Sequence, residues 1–343
     1  MVLSDADATR QCARTCRPLA RQGRRINSRF GQTAFAVRAF FLRGEDVIPS
    51  SIGTISLAAG WLAVGPSPSR AARQPARVLA EHPSGTNPMM DHGTRVGNRL
   101  LAALPPADFA LLKPHLRKVV LARDAILVRS GDRIEHLLFP CGGAIAFIVD
   151  LPNGQTVATA VIGHEGAIGL SSALGVSRSP VTAVVRVPGA VLQMPAAQFL
   201  AALRRSPAIA SMVQIFTRSL LTQLQYVAAC NALHSVEARM ARWLLHIHDR
   251  ADGSNLIPLT QETISELLGV RRTTVTHVVS ALRASRGLKS NRRGQLEIDR
   301  PRLEAVACEC YKLMSRKIDR IVSQGAAELL HATTARDACQ LPG

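Results

Sequence analysis

The sequence predicts an α+β protein in which a strand-rich half is followed by a helical half. Short apolar runs separated by turn residues extend from Val119 to about Pro195, and three- and four-residue apolar spacing takes over from Pro207. A chain of 343 residues is long enough for two domains of ordinary size and a tail. We therefore expect each half to fold as a domain of its own.

The charge of the chain favours a polyanionic partner. Lys and Arg number 42 against 24 Asp and Glu, which gives a formal net charge of +18. Such an excess attracts nucleic acid or anionic lipid. Part of it is concentrated between Arg271 and Arg302. The alternative is a solvated basic face without a partner.

The cysteines indicate a reducing compartment, and we expect the protein in the cytoplasm. Their odd number and scattered positions argue against a secreted disulfide framework. The seven are Cys12, Cys16, Cys141, Cys230, Cys308, Cys310 and Cys339. Cys308 and Cys310 lie two apart on a predicted helix, where side chains diverge, so we interpret them as buried or partly buried thiols and predict no metal site.

Residues 1–90 differ from the rest of the chain. An uncharged run from Val47 to Ser69 has the length of a membrane span, but prolines, serines and glycines dilute its apolar part. Met89 and Met90 stand just before the first globular-looking sequence. We expect a poorly ordered extension that need not be native, and no membrane partner.

Residues 95–205 are predicted to form a small β-domain. Two short helical patterns, broken at Pro105 and Pro106, precede four apolar runs. Glycine-containing turn signals separate these runs at nearly regular spacing. Short strands with such turns are typical of a small barrel or jelly roll.

A long helix is predicted next, over residues 206–232. Pro207 suits its first position, and an apolar stripe then repeats in three- and four-residue steps without a helix breaker. The stripe consists of Ile209, Val213, Phe216, Leu220, Leu224 and Val227. Because it is narrow, we expect it to form the seam of a homodimer. A helix that faces the core of a monomer is the alternative, which spacing does not exclude.

The most specific motif is LTQETISELLGVRRTTVTHVVSAL, residues 259–282. Thr260 suits a helix N-cap, and Gly269 supplies the left-handed backbone that ends the helix. A second helix is predicted from about Arg271, with valines and a leucine spaced along its inner side. The pattern is that of a helix-turn-helix, whose second helix enters the major groove of DNA.

The outer surface of this second helix carries groups that bind DNA. Arginine can bridge guanine O6 and N7, and threonine can meet a base edge or a thymine methyl. A basic hairpin follows, and the arginines at its tip are expected to contact phosphate. The predicted DNA-binding residues are Arg271, Arg272, Thr273, Thr274, Thr276, His277, Arg292 and Arg293. The alternative is a signal-binding module that uses the motif for protein contact.

Further stretches accompany this motif, namely LLFPCGGAIAFIV, VIGHEGAIGL, EARMARWLLHIHDR, RRGQLEID and LEAVACECY. Together and in this order, they resemble the Crp/Fnr family of bacterial transcription regulators. The resemblance implies a cyclic-nucleotide-binding-like β-roll (a double-stranded jelly roll), a long dimerisation helix, a winged helix-turn-helix over residues 233–320 and a tail over 321–343. It also implies contact with RNA polymerase, and neither enzymatic activity nor catalytic residues are expected.

The resemblance assigns roles to particular residues. The base-reading positions of the family fall on Arg272, Thr273 and His277. The candidate effector-binding residues are Gly166, Arg178 and Ser179. Thr273 stands where the best-known members carry Glu, so their usual operator is not expected.

The effector stays unidentified at this stage. Ala167 stands where a cyclic-nucleotide site has its ribose-binding Glu, which argues against a cyclic nucleotide as cofactor. An iron–sulfur cluster is not expected either, because Cys12 and Cys16, with the distant Cys141, do not supply the tight group of ligands that it needs.

Overall fold

A computed structural model describes residues 97–251, 254–290 and 295–339. The extension predicted over residues 1–90 and the hairpin-tip residues Arg292 and Arg293 lie outside these ranges. The described residues all belong to one contact unit, Pro68–Gly343. Among them, no helix is long and apolar enough to cross a bilayer.

Two antiparallel sheets that share a core form the first half of the fold. Helices α1 (Arg99–Ala102) and α2 (Pro106–Leu112) precede them. The strands are β1 (Arg117–Leu121), β2 (Ile126–Val128), β3 (His136–Pro140), β4 (Ala144–Asp150), β5 (Thr156–Ile162), β6 (Thr182–Val187) and β7 (Gly189–Pro195). One sheet has the order β1-β7-β3 and the other β2-β6-β4-β5. This β-domain confirms the predicted jelly-roll half.

Strand β4 shows how the β-domain meets the rest of the chain. Ile145 and Phe147 lie in the core between the two sheets, whereas Ala146 and Ile148 lie in a second core that the C-terminal helices complete. Successive residues of a strand face opposite sides. Because both sides are buried here, the strand is apolar at nearly every position.

Helix α3 (Ala196–Leu203) leads into the long helix α4 (Pro207–Leu233). The Ser206 side chain caps α4 by accepting a hydrogen bond from the Ile209 amide at 3.0 Å. Pro207 takes the first helical position, as predicted.

The DNA-binding half predicted from the sequence is a set of short helices and a small sheet. Its elements are α5 (Val236–His248), β8 (Leu256–Ile257), α6 (Gln261–Leu268), α7 (Arg272–Ala284), β9 (Leu288–Ser290), β10 (Leu296–Ile298) and α8 (Arg300–Val306). The sheet has the order β8-β10-β9. The arrangement is a winged helix-turn-helix, as expected.

A further long helix, α9 (Cys310–Cys339), packs along α4. Met314, Ile318 and Val322 are buried in the same core as Ile215 of α4. At Gly325, a Cβ atom would lie only 2.5 Å from Ile215, so the two helices approach closely. The boundary expected between residues 320 and 321 therefore falls inside a continuous helix.

The stripe predicted as a dimer seam is largely covered within the chain. Ile209, Val213, Phe216 and Val227 are buried. They are covered because the β-domain and the C-terminal helices pack against this side of α4. Leu220 is partly buried, and of the six residues only Leu224 is exposed. This matches the core-facing alternative for most of the stripe, and a dimer seam stays a prediction.

Candidate nucleic-acid interface

Helix α6 begins with the predicted cap. The Thr263 amide donates to the Thr260 hydroxyl oxygen at 3.1 Å, which satisfies one of the amides that have no partner within the helix. Ile264, Leu267 and Leu268 are buried against the second core. The amphipathic pattern therefore fixes which side of α6 faces inward.

Gly269 makes the turn between α6 and α7. Its φ of +65° lies in the left-handed region, which costs other residues free energy because of their Cβ atom. Its amide donates to the Ser265 carbonyl at 3.0 Å, and the Ser265 hydroxyl donates to the Val270 carbonyl at 2.6 Å. These local hydrogen bonds set the angle at which α7 leaves α6.

Helix α7 buries one side and exposes the other, as predicted. The buried side consists of Val275, Val278, Val279 and Leu282. The exposed residues near its start are Arg271, Arg272, Thr273, Thr276 and His277, which we name the α7 surface. Thr274 is partly buried beside them. Arg271 occupies the N-cap position without a side-chain capping bond, so the first amides of α7 are not satisfied by a capping side chain.

The contacts made by the α7 surface are weak and local. Arg272 Nε lies 3.4 Å from Glu262 Oε2, but the arginine side chain is 67% exposed, so this ion pair contributes little stability. The Thr276 hydroxyl donates to the Arg272 carbonyl at 3.0 Å. Arg272 is therefore oriented loosely and remains accessible to a ligand.

The hairpin after α7 is anchored by buried aliphatic side chains. Leu288, Leu296 and Ile298 are buried, and the ammonium of Lys289 lies 3.5 Å from Glu297 Oε1 across the strands. The structure thus describes the base of the wing. The predicted phosphate contacts of Arg292 and Arg293 stay predictions.

A buried ion pair fastens α6 to the β-domain. Arg186 of β6 is 1% exposed. Its Nη2 lies 2.9 Å from Glu266 Oε2 on α6, and its Nη1 lies 3.1 Å from Asp124 Oδ1. A buried guanidinium needs such partners, because an unpaired buried charge costs several kcal/mol. The helix-turn-helix is therefore docked on the sheet β2-β6-β4-β5.

A second buried pair joins the loop after β5 to the end of α5. Arg250 donates to Glu165 Oε1 from Nε at 2.9 Å and from Nη2 at 2.6 Å. The carboxylate also accepts a hydrogen bond from the Gly163 amide at 3.2 Å. Glu165 thus forms a structural ion pair with Arg250. This role explains why a carboxylate stands two residues before Ala167, the position at which the resemblance places the ribose-binding Glu.

The β-domain encloses a cavity of about 470 Å³ that could hold an effector. Besides aliphatic side chains, its lining contains the polar residues Asp132, Arg133, Glu135, His136, Arg178 and Gln193. Of the three candidate effector residues, the structure places Arg178 in the lining. Gly166 instead packs against Phe216, where a Cβ would lie 2.8 Å from the ring.

The third effector candidate, Ser179, is buried in the loop before β6. Its hydroxyl donates to the Val181 carbonyl at 2.6 Å, and its amide donates to the Asp132 carbonyl at 2.8 Å. Ser179 therefore stabilises the loop and is not among the lining residues.

Four side chains of types that can bind a metal ion meet where α4 ends and α9 begins. They are Cys230, His234, Cys308 and Cys310, which we name the Cys/His cluster. Their ligand atoms all lie within 4.8 Å of one another. The burial of Cys308 and Cys310 confirms the prediction of buried thiols.

The predicted divergence of Cys308 and Cys310 is wrong. The divergence requires both residues to lie on one helix, but Cys308 precedes α9, and only Cys310 is helical. The non-helical backbone lets the two side chains converge on Cys230. The hydrogen bond with the Cys308 thiol lowers the pKa of Cys230, and the nearby Arg242 guanidinium contributes to this effect.

The two histidines at the end of helix α5 lie in a largely buried environment. Burial lowers the pKa of His246 well below its usual value, so this imidazole is neutral. His248 Nε2 lies 2.9 Å from Asn255 Oδ1, and Asp249 pairs with Arg300 at 2.7 Å. These three residues of the helix α5 end do not converge on a shared metal position.

Two family models match the chain in the order expected. The cyclic nucleotide-binding domain matches residues 118–206, and the Crp-like helix-turn-helix domain matches residues 238–306. No curated protein matches the chain at a significant level.

Solved structures with a similar fold include two named regulators. FixK2 from Bradyrhizobium japonicum is 17% identical, with 56% of this chain and 98% of that chain covered and a TM-score of 0.48. The c-di-GMP-responsive regulator CLP from Xanthomonas campestris is 15% identical, with 57% and 99% covered and a TM-score of 0.48. At these identities and TM-scores, the likenesses carry no argument about function.

A β-domain of the cyclic nucleotide-binding type, followed by a helix-turn-helix with an exposed basic face, defines a DNA-binding transcription regulator. The order of the two domains and the Crp-like form of the second give the chain the domain architecture of Crp/Fnr transcription regulators.

Proposed function

We propose that the chain recognises particular DNA sequences through the α7 surface. The observation that carries this proposal is the exposure of Arg271 and Arg272 at the start of a helix whose opposite side is buried. An arginine at this position can donate two hydrogen bonds to guanine O6 and N7. The amides at the start of α7, which no side chain caps, suit a DNA phosphate.

We infer that the functional unit is a homodimer, since two recognition helices read the two half-sites of a palindromic operator. Besides the buried stripe, α4 exposes an apolar edge. Leu221 is 54% and Leu224 is 36% exposed, and Ala228 and Ala232 continue the edge in steps of four. A second copy of the chain would cover this edge by helix pairing.

We infer that the signal is a small molecule held in the cavity of the β-domain. Its lining includes two arginines, Arg133 and Arg178, and two acidic residues, Asp132 and Glu135, which favours a polar ligand that carries both donors and acceptors. We also propose that the protein contacts RNA polymerase and acts in the cytoplasm, as a transcription regulator would. No enzymatic activity is expected from the residues described.

Binding to duplex DNA tests the proposal. In a gel-shift series over genomic fragments, wild-type affinity should fall steeply with rising salt, because phosphate contacts release counterions. Replacing both Arg271 and Arg272 with Ala should weaken binding at least tenfold and reduce the salt slope. The matched control is Arg320→Ala, which removes an exposed arginine from α9. It should leave the DNA affinity and the salt slope unchanged.

The protein-contact alternative predicts a different outcome. In that case, no fragment would be bound preferentially, and the arginine variants would bind duplex DNA as the wild type does. Either result would contradict sequence recognition by α7.

A further inference from the structure

The spacing of the ligand atoms in the Cys/His cluster fits one tetrahedral ion. The Sγ atoms of Cys230 and Cys308 are 3.5 Å apart, and Cys310 Sγ lies 3.7 Å from His234 Nδ1. With Zn–S bonds of about 2.3 Å, tetrahedral geometry places two sulfurs about 3.8 Å apart. A cluster of several iron and sulfide atoms would need ligands farther apart.

The chemistry of the ligand set points to zinc. Three thiols and one imidazole form the Cys₃His combination of structural zinc sites. All four ligands come from the protein, so no coordination position is left for water or a substrate. The three cysteines are buried, which protects bound metal from exchange with solvent.

His234 is oriented as a metal-binding histidine is. One ring nitrogen, Nδ1, faces Cys310, while the other, Nε2, lies 3.2 Å from Glu309 Oε1. Metal-binding imidazoles usually donate their second N–H to a carboxylate, which fixes the tautomer and the ring orientation. Glu309 therefore acts as a positioning residue for His234.

Arg242 provides an independent argument. It is 1% exposed, and its Nε donates to Cys230 Sγ at 3.2 Å. Its guanidinium carbon lies 4.8 Å from the Trp243 ring centre, and neither Nη1 nor Nη2 has a hydrogen-bond partner among the described residues. A buried guanidinium needs a nearby negative charge. Three thiolates with one divalent ion carry a net negative charge, which Arg242 would balance.

We propose that the Cys/His cluster binds one Zn²⁺ ion through three thiolates and the Nδ1 atom of His234. The ion joins the end of α4 to the start of α9. Because His234 lies between α4 and α5, the ion also fixes the direction in which the DNA-binding half leaves α4. This inference goes beyond the proposed function, and metal binding is measured without DNA.

Cobalt(II) and metal analysis test the proposal. Full-length protein, purified anaerobically under reducing conditions, should contain about one zinc ion per chain. After chelation of this metal, titration should bind one Co²⁺ per chain, with thiolate charge-transfer absorption and the visible bands of tetrahedral cobalt. One equivalent of Zn²⁺ should displace it.

Variants locate the site. Cys308→Ser should lower the Co²⁺ affinity at least 100-fold, whereas Cys141→Ser, which removes a cysteine at the end of β3, should leave it unchanged. Glu309→Gln keeps every ligand and should lower the affinity about 10- to 100-fold, so it tests the site even if Cys308→Ser fails to fold. Far-UV circular dichroism checks the fold of each variant.

Several results would overturn the zinc site. These are less than half an equivalent of bound Co²⁺ in folded wild-type protein, equal affinity in the wild type and Cys308→Ser, and an equal loss in Cys141→Ser. A Cys230–Cys308 disulfide in the anaerobic preparation, or iron with sulfide in place of zinc, would also overturn it.

Discussion

The helix-turn-helix and the Cys/His cluster are assembled in different ways. The α7 surface is displayed by two helices and a turn, whose hydrogen bonds join near neighbours such as Thr260 and Thr263. The Cys/His cluster joins side chains that are 76 and 78 residues apart in the chain. The first site therefore depends on local backbone geometry, while the second exists only when distant segments have packed.

The two buried ion pairs resemble the Cys/His cluster, because they also join residues that are far apart in the chain. Arg250 and Glu165 are 85 residues apart, and Arg186 and Glu266 are 80 apart. Both pairs tie the β-domain to the C-terminal helices. Changes at long-range contacts should lower the stability of the whole fold, whereas changes on the α7 surface should alter DNA recognition alone.

The largest effect on stability is expected from Glu165→Gln. This change leaves the buried Arg250 without its carboxylate and should lower the free energy of unfolding by about 3 kcal/mol. Urea denaturation measures the loss. The control is Asp319→Asn, which removes an exposed pair with Arg99 and should cost less than about 1 kcal/mol. Equal losses would show that the buried pair does not hold the two halves together.

The same pair should make stability depend on pH. Burial raises the pKa of Glu165, but the charge and hydrogen bonds of Arg250 outweigh it and lower the pKa overall. The stabilisation is therefore complete above about pH 4.3, the ordinary glutamate value, and is lost as the pH falls through the lower value in the folded state. The stability difference between the wild type and Glu165→Gln should narrow below about pH 4, and a constant difference down to pH 3 would contradict the assignment.

A smaller loss of stability is expected from Gly269→Ala, which changes both the local backbone and a contact with distant strand β5. Left-handed backbone costs alanine about 1 kcal/mol, and the new Cβ would lie 3.1 Å from the Val157 side chain of β5. We expect a total loss of about 2 kcal/mol in urea denaturation. Gly154 has a similar φ of +78° with no atom within 4 Å of its Cβ position, so Gly154→Ala measures the backbone cost alone. Equal losses of stability in Gly269→Ala and Gly154→Ala would contradict a contribution from the Val157 contact.

The smallest effect is expected from Thr260→Ala, a purely local change. Loss of the cap should cost about 1 kcal/mol, while Thr260→Ser, which keeps the hydroxyl, should cost almost nothing. Thermal denaturation of both variants measures this difference. A loss above about 3 kcal/mol would show that the start of α6 supports distant packing as well.

The sequence predicted what local spacing determines. One short stretch of sequence predicts the main features of the helix-turn-helix, namely its cap, its turn glycine, its buried valines and its exposed arginines. The sequence did not predict that α9 continues beyond residue 320 and packs along α4. A contact between distant helices produces little recognisable pattern in the sequence of either helix. The cluster left a partial signal, since Cys230 and His234 stand four apart and Cys308 and Cys310 two apart. Packing was needed to show that these two pairs meet.

Sequence recognition is proposed to depend on Arg272, which would read a base from the α7 surface. Selection from a randomised duplex library gives the operator bound by the wild-type protein, and fluorescence anisotropy then measures the affinity for that operator and its single-base variants. Arg272→Ala should lose about 1–3 kcal/mol of discrimination at one base pair in each half-site, with an unchanged free energy of unfolding, and Arg320→Ala should lose none. The claim would be contradicted by an Arg272→Ala variant that selects the same operator with the same discrimination at every position.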